Sequence, residues 1–326
     1  MAAGPESHSP GAAHARTQPH RTAPAALPAA GERGGLRKQL VRGLRTPALT
    51  REQAQEVIAR YSRDAPRSLA SAETDPQLAM DAAALKMRRV TKRRAPSRTF
   101  SHTALYVPRM AGYPRWFAAD AISGQGKETL RHALLFTQAK AGAPWLLAAD
   151  PLPTDASLGR VALDPDGYAS PVDPGLKGLA ITPADLPRAH SALFNGGPKA
   201  PGASALGPGP KTDQAYRALV QGEAALKGQG IGLVSRFSPA PGPVFALRTR
   251  DRGALVWYAV KQNEAYTTTE RGKLAVTGDL VGLAPARSAR TRVDTTVLVQ
   301  YLAAVPPKGR ATVTGMYRKA VAAKGS

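Results

Sequence analysis

Cysteine is missing from all 326 residues of this sequence. Its absence excludes disulfide bonds, thiolate zinc sites, iron–sulfur clusters, cysteine nucleophiles and a lipid-modified cysteine in the chain as written. Aromatic residues are scarce at 6%, whereas apolar residues reach 43%, which is near the globular average. Because the chain also holds 31 glycines and 29 prolines, its composition predicts modest folded units with generous loops.

Long apolar runs are absent too. No stretch reaches the roughly 18 apolar residues that a membrane-spanning helix requires. No apolar run of about 7–15 residues follows a basic start, as a secretory signal would show. We therefore expect neither a transmembrane segment nor an export signal in this sequence.

Motifs of known catalytic and metal sites are also lacking. The histidines are isolated and none has the spacing of metal ligands: His8, His14, His20, His102, His132 and His190. The segment SGQGKET at 123–129 lacks the first glycine of a phosphate-binding loop, and GQGIG at 228–232 lacks the third glycine of a dinucleotide fingerprint. No Gly-x-Ser-x-Gly elbow occurs. We expect no enzyme, no cofactor and no metal site.

Charge is abundant, and most of it is positive. The chain has 45 Lys and Arg against 23 Asp and Glu, for a net charge of +22. The positive electrostatic field of such a chain favours binding to an anionic surface or polymer, such as nucleic acid, acidic lipid or wall polymer. A genome rich in G and C is an alternative cause, because it enriches arginine without any functional demand.

The densest basic segment is KMRRVTKRRAPSR at 86–98. If it is helical, residues 86, 89 and 93 share one face, where they could hold phosphate groups. The predicted anion-binding patch consists of Lys86, Arg88, Arg89, Lys92, Arg93, Arg94 and Arg98. A solvated basic loop is the alternative interpretation.

Composition shifts divide the chain. We predict a disordered basic Pro/Ala-rich tail at 1–45, a first α+β domain at 46–155, a Pro/Gly-rich linker at 156–207 and a second α+β domain at 208–326. The linker should have some ordered packing, with a short helix at 183–193. The first helix should begin at Thr50, where Gln53 completes a capping box. Alternating apolar residues in TVLVQYLAAV at 296–305 indicate a half-buried strand. The turn Asp251-Arg252-Gly253 indicates a hairpin with glycine at the position of positive φ.

The two halves of the chain resemble each other. TREQAQEVIARY at 50–61 matches TDQAYRALVQGEA at 212–224, and HALLFTQ at 132–138 matches GALVWYAV at 253–260. These matches predict a tandem repeat, in which each half is a helical segment followed by a curved antiparallel sheet. Aromatic residues near the strands could line a pocket or simply pack in the core: Tyr113, Trp116, Trp257 and Tyr258.

Three segments carry a family resemblance. VPRMAGYPRWFAAD at 107–120, ALRTRDRGALVWYAV at 246–260 and TVLVQYLAAVPPKG at 296–309 resemble an uncharacterised actinobacterial family known only as a domain of unknown function. The resemblance covers about residues 48–320 and implies cystatin-like or nuclear-transport-factor-like cones. It also implies export, often as a lipoprotein, although this sequence has no signal and no cysteine. It supplies no catalytic residues.

These observations favour a non-catalytic binding or assembly protein of the actinobacterial cell envelope. A cytoplasmic, nucleic-acid-associated basic protein is one alternative, because the sequence lacks a signal and its charge is positive. A small-molecule-binding cone, or an enzyme built on such a cone, is another, because aromatic residues cluster near the strands.

Overall fold

A computed structural model describes residues 46–63, 68–93, 99–124, 129–270, 274–284 and 291–325. These residues fall within the compact unit Leu44–Ser326. The tail predicted at 1–45 lies outside the described residues, and so do Arg94 and Arg98 of the basic segment.

Helices occur in two pairs, each ahead of a sheet. They are α1 (Arg51–Arg63), α2 (Gln77–Thr91), α3 (Leu186–Gly196) and α4 (Asp213–Gly228). The predicted capping box of α1 is confirmed: the Thr50 N–H donates to Gln53 Oε1 at 2.9 Å, and the Gln53 N–H donates to Thr50 Oγ1 at 3.2 Å. Each bond satisfies an amide that has no partner within the helix. None of the described helices is long and apolar enough to cross a membrane.

The first sheet has four antiparallel strands in the order β2–β4–β5–β6. Two short strands, β1 (Thr46–Pro47) and β3 (Arg109–Met110), pair beside it. The sheet strands are β2 (Phe100–Tyr106), β4 (Arg115–Ser123), β5 (Leu130–Gln138) and β6 (Leu146–Ala149). In the central pair Phe117 lies opposite Phe136, and Ser123 lies opposite Leu130.

The second sheet is longer and also antiparallel, in the order β7–β12–β11–β10–β8, and β9 also pairs with β10. Its strands are β7 (Leu152–Pro153), β8 (Gly232–Pro239), β9 (Phe245–Arg248), β10 (Ala254–Thr267), β11 (Arg292–Val305) and β12 (Thr312–Gly325). β8 and β9 pair with successive parts of β10, so the two strands form one interrupted edge.

A shared layer of buried side chains joins the two sheets. Because neighbouring residues of a strand point to opposite faces, Trp116 and Trp257 enter this layer, whereas Phe117 and Tyr258 pack on the outer sides. Helix α1 covers the outer face of the first sheet, and α3 and α4 pack on that of the second. The α+β class with curved antiparallel sheets is confirmed.

One local expectation differs from the structure. In the turn before β10, positive φ falls on Arg252, at 65°, and not on the glycine that follows. Gly253 is needed for a different reason: a Cβ at this position would lie 2.5 Å from the Val305 carbonyl oxygen. The short helix predicted at 183–193 within the linker corresponds to α3, which buries Leu186 and Leu193 against the second sheet. The division into two domains and the tandem repeat stay predictions.

Candidate functional site

An apolar cavity of about 570 Å³ lies between the two sheets. Its walls are built by Leu135 and Ala148 of the first sheet and by Phe245 and Trp257 of the second. Small-molecule sites in proteins have volumes of roughly 300–1,000 Å³ and are lined mostly by apolar side chains. The size and lining of this cavity are therefore those of a binding site.

The cavity opens where the edge of the second sheet is interrupted. The segment Ala240–Val244 connects β8 to β9, and the neighbouring β10 residues Tyr258 and Ala259 line the cavity beside it. Prolines, which have no N–H to donate, make up much of its exposed lining: Pro114, Pro174, Pro239, Pro241 and Pro243. Pro76 and Pro187 line it more deeply. The mouth therefore offers apolar contact with few backbone donors.

The four predicted pocket aromatics lie in three different settings. Trp257 and Tyr258 line the cavity, and the Trp257 indole N–H is held by the Ala133 carbonyl at 2.9 Å. The Trp116 ring packs on Phe245, which lines the cavity, with ring centroids 5.3 Å apart. Tyr113 is 42% exposed and lies against the Arg115 guanidinium. A common pocket for all four stays a prediction.

A chain of hydrogen bonds joins Ser123, His132 and Asp150 at the other end of β4. Ser123 Oγ lies 2.7 Å from His132 Nε2. His132 Nδ1 lies 2.8 Å and 3.0 Å from the two oxygens of the Asp150 carboxylate. Because a carboxylate only accepts, Nδ1 carries the ring proton, and Nε2 accepts from the serine hydroxyl. Burial raises the pKa of the Asp150 carboxyl, whereas the hydrogen bond from His132 acts to lower it.

This serine–histidine–aspartate cluster was not predicted from the sequence, where each residue appeared isolated. A hairpin that pairs Ser123 with Leu130 makes His132 a diagonal neighbour of Ser123 on the adjacent strand. That pairing was a usable signal for the first two residues. Asp150 gave no comparable signal, because its position after β6 depends on a register shift between β5 and β6.

His190 lies in a contrasting environment. Its Nε2 donates to the Lys211 carbonyl at 2.9 Å, and its Nδ1 accepts from the Tyr258 hydroxyl at 2.9 Å. The side chain is fully buried, and burial lowers the pKa of His190 to about 4. Burial also raises the pKa of Tyr258 well above its ordinary value. His190 is therefore a neutral ring that supports the Tyr258 side chain on the outer side of the second sheet.

The described part of the basic segment lies at the end of α2. Lys86 and Arg89 are exposed on the helix, Arg88 is partly buried, and Lys92 and Arg93 are exposed beyond Thr91. Lys92 has φ 55°, so Arg93 does not continue the helical face that residues 86 and 89 share. Cations here also complement the negative end of the helix dipole. The anion-binding patch stays a prediction, and its members Arg94 and Arg98 lie outside the described residues.

The described residues contain no group of three or more histidine, aspartate or glutamate side chains placed to hold a metal ion.

Comparisons with known proteins reach a family without an assigned activity. The family model described as Domain of unknown function (DUF8094) matches residues 45–325. An uncharacterized lipoprotein of Streptomyces coelicolor is 29% identical over 292 residues, which cover 81% of this chain and 79% of that protein. An uncharacterized lipoprotein of Streptomyces avermitilis is 27% identical over 176 residues, which cover 52% and 49%.

Another uncharacterized lipoprotein of Streptomyces coelicolor is 29% identical over 167 residues, covering 49% of this chain and 47% of that protein. The matches therefore span about half the length of two of the three curated relatives. No solved structure matches the chain. The resemblance inferred from VPRMAGYPRWFAAD and its companion segments is confirmed at the level of the family.

Proposed function

This chain belongs to the family described as Domain of unknown function (DUF8094), and we propose that it is an envelope-associated protein. We further propose that it binds an apolar small molecule between its two sheets. The relatives' names as lipoproteins support the envelope setting. The cavity walled by Leu135, Ala148, Phe245 and Trp257 supports the binding role, and it is the observation on which the proposal depends.

The chemistry of the lining favours an aliphatic ligand with a polar end left at the mouth. Gln300, the amide of the inner wall, already accepts from the Asp150 N–H at 2.7 Å and donates to Gln77 Oε1 at 3.1 Å. It is fully buried and engaged, so a ligand meets mainly hydrocarbon inside. Transfer of the ligand's apolar surface from water into the cavity then contributes about 25 cal/mol of binding free energy for each Å² buried.

The same lining supports binding without chemical change. Among the described residues that line the cavity, Asp75 is the only carboxylate, and neither serine nor histidine is present. A nucleophile with an adjacent base is the usual requirement for covalent catalysis. We therefore keep, for this cavity, the expectation that it is not an active site.

Titration with dansyl-labelled undecanoic acid tests the cavity. We expect saturable binding of one probe per chain. Ala148→Phe fills the wall and Ala240→Trp obstructs the mouth, and each should weaken binding by about tenfold or more. Ala225→Trp, on an exposed part of α4, is the matched control and should bind as the parent does. Absence of saturable binding, or equal affinity in all three variants, would contradict the proposal.

The positive charge supports an anionic envelope surface as the partner. The net charge is +22, and Lys86, Arg89, Lys92 and Arg93 are exposed at the end of α2. We expect binding to vesicles that contain phosphatidylglycerol, with a steep loss between about 50 and 200 mM salt.

Changing these four residues to glutamine removes four positive charges from the patch. The matched control changes four exposed cations elsewhere to glutamine: Lys140, Lys227, Lys308 and Arg310. Vesicle binding should fall more in the first variant than in the control. Equal losses of vesicle binding in the two variants would show that the patch is not the binding surface. Tighter binding to duplex DNA than to vesicles would favour the nucleic-acid alternative.

A further inference from the structure

The cluster of Ser123, His132 and Asp150 has the connectivity of an activated nucleophile. A hydroxyl donates to one ring nitrogen at 2.7 Å, and the other ring nitrogen donates to a carboxylate at 2.8 Å. A nucleophile bonded to a base that a third group orients is the arrangement found in acyl-transfer enzymes on unrelated folds. We propose that Ser123 and His132 are catalytic residues of a second site, separate from the cavity, which hydrolyses a small carboxylic ester.

Asp150 is the positioning residue of this site. It follows β6, and its N–H donates to Gln300 of β11, so contact between the two sheets holds the backbone that carries the carboxylate. The carboxylate in turn holds the His132 ring in the tautomer whose Nε2 faces Ser123. The ring and the carboxylate are 12% and 16% exposed, so the bonds are shielded from bulk water and yet not sealed.

The surroundings of the cluster indicate a small substrate. Ser123 is 8% exposed, and the Phe100 ring meets the His132 ring edge-on, with centroids 5.1 Å apart. In β2, the strand beside Ser123, a register shift separates Ser101 from Ala104, and His102 within it has φ 53°. Such bulges are over-represented next to active sites. This partial enclosure favours an ester with a short acyl group over a bulkier one.

The reaction balances with water as the co-reactant. Ser123 Oγ attacks the ester carbonyl carbon while His132 Nε2 takes the hydroxyl proton. The bond from carbon to the alcohol oxygen breaks, and the alcohol leaves with the proton from Nε2. Water then attacks the acyl group on Ser123 and gives a proton to Nε2, the bond to Oγ breaks, and Oγ recovers the proton. A carboxylic acid and an alcohol are the products.

Labelling of the full chain with a small alkyl fluorophosphonate is the primary test. We expect one phosphonyl group per chain, placed on Ser123 by peptide mass spectrometry. His132→Gln should lower the labelling rate by about 10²-fold or more, and Ser123→Ala should abolish labelling. Ser101→Ala, on the neighbouring strand, is the control and should label at the parent rate.

Hydrolysis of p-nitrophenyl acetate tests Asp150 separately. Asp150→Asn should lower kcat by about 10²-fold or more with little change in KM, because the carboxylate orients His132 and touches no substrate. A merely structural role would change KM and thermal stability together.

A thiol test keeps the proposal falsifiable if the histidine variant fails to fold. The chain has no cysteine, so Ser123→Cys and Ser101→Cys each introduce the only thiol. The ratio of iodoacetamide rates at pH 8 and pH 6 cancels differences in accessibility. A neighbouring base lowers the pKa of a thiol, so the thiolate fraction changes less between pH 6 and pH 8. The ratio should therefore be several-fold smaller for Ser123→Cys than for Ser101→Cys.

Equal thiol ratios, together with no phosphonyl group on Ser123, would overturn the proposal and leave the three residues as a satisfied polar network. The residues that line the cavity do not include these three, so failure of either proposal is distinguishable from failure of the other.

Discussion

His132 and His190 are each held by two hydrogen bonds, but the partners differ in kind. His132 lies between a serine hydroxyl and the Asp150 carboxylate. His190 lies between a tyrosine hydroxyl and a backbone carbonyl. A carboxylate can balance a positive charge on the ring, whereas a carbonyl and a phenol only fix its orientation. The number of bonds is the same, and the two rings differ in whether one partner is a carboxylate.

Burial adds to this contrast. The His190 ring packs on Phe194 and Tyr301, with centroids 5.0 Å and 4.3 Å away, and no part of the residue reaches solvent. His132 lies at the end of a strand and keeps partial exposure. The comparison teaches that a histidine which appears isolated in sequence acquires its role from the element packed against each ring nitrogen.

The largest expected effect that separates the two histidines is on stability. His190→Leu leaves the Tyr258 hydroxyl and the Lys211 carbonyl without partners inside the core, so we expect the free energy of unfolding to fall by about 3 kcal/mol. His132→Leu should cost less, about 1–2 kcal/mol, because the Asp150 side chain keeps 16% exposure and its raised pKa lets it take up a proton when the ring is removed. Urea unfolding of both variants measures the difference, and equal losses would contradict the contrast.

The dependence of stability on pH should sharpen the comparison further. The pKa of His190 is about 4 in the folded chain and about 6.5 when exposed, so the unfolded state binds more protons between these values. The free energy of unfolding is therefore greatest above pH 6.5 and falls as the pH falls towards 4, by up to about 1.4 kcal/mol per pH unit.

The control for this dependence is His190→Gln, which removes the titration and leaves every other group in place. Subtracting its pH profile of urea unfolding from that of the parent isolates the contribution of His190. A difference that stays flat between pH 6.5 and pH 4 would show that the ring is not held neutral by burial.

Several elements could be predicted from the sequence because their cause is local. The bonds between Thr50 and Gln53 span three residues, and the strand around 296–305 is indicated by its alternating apolar and polar residues. Within 156–207 the short helix was predicted three residues too early, at 183–193, because the prolines and glycines around it blur its bounds. The sites were hardest, since they combine residues distant in the chain.

The sequence by itself determined the α+β class, the start of α1, the alternating strand around 296–305, the family resemblance and the lack of any cysteine chemistry. Only the tertiary structure decided that Asp150 meets His132 and that Tyr258 meets His190. It also decided that an interrupted sheet edge leaves a cavity. Periodicity and capping act over a few neighbouring residues, whereas these contacts require strand registers and layer packing that form only when the whole chain is folded.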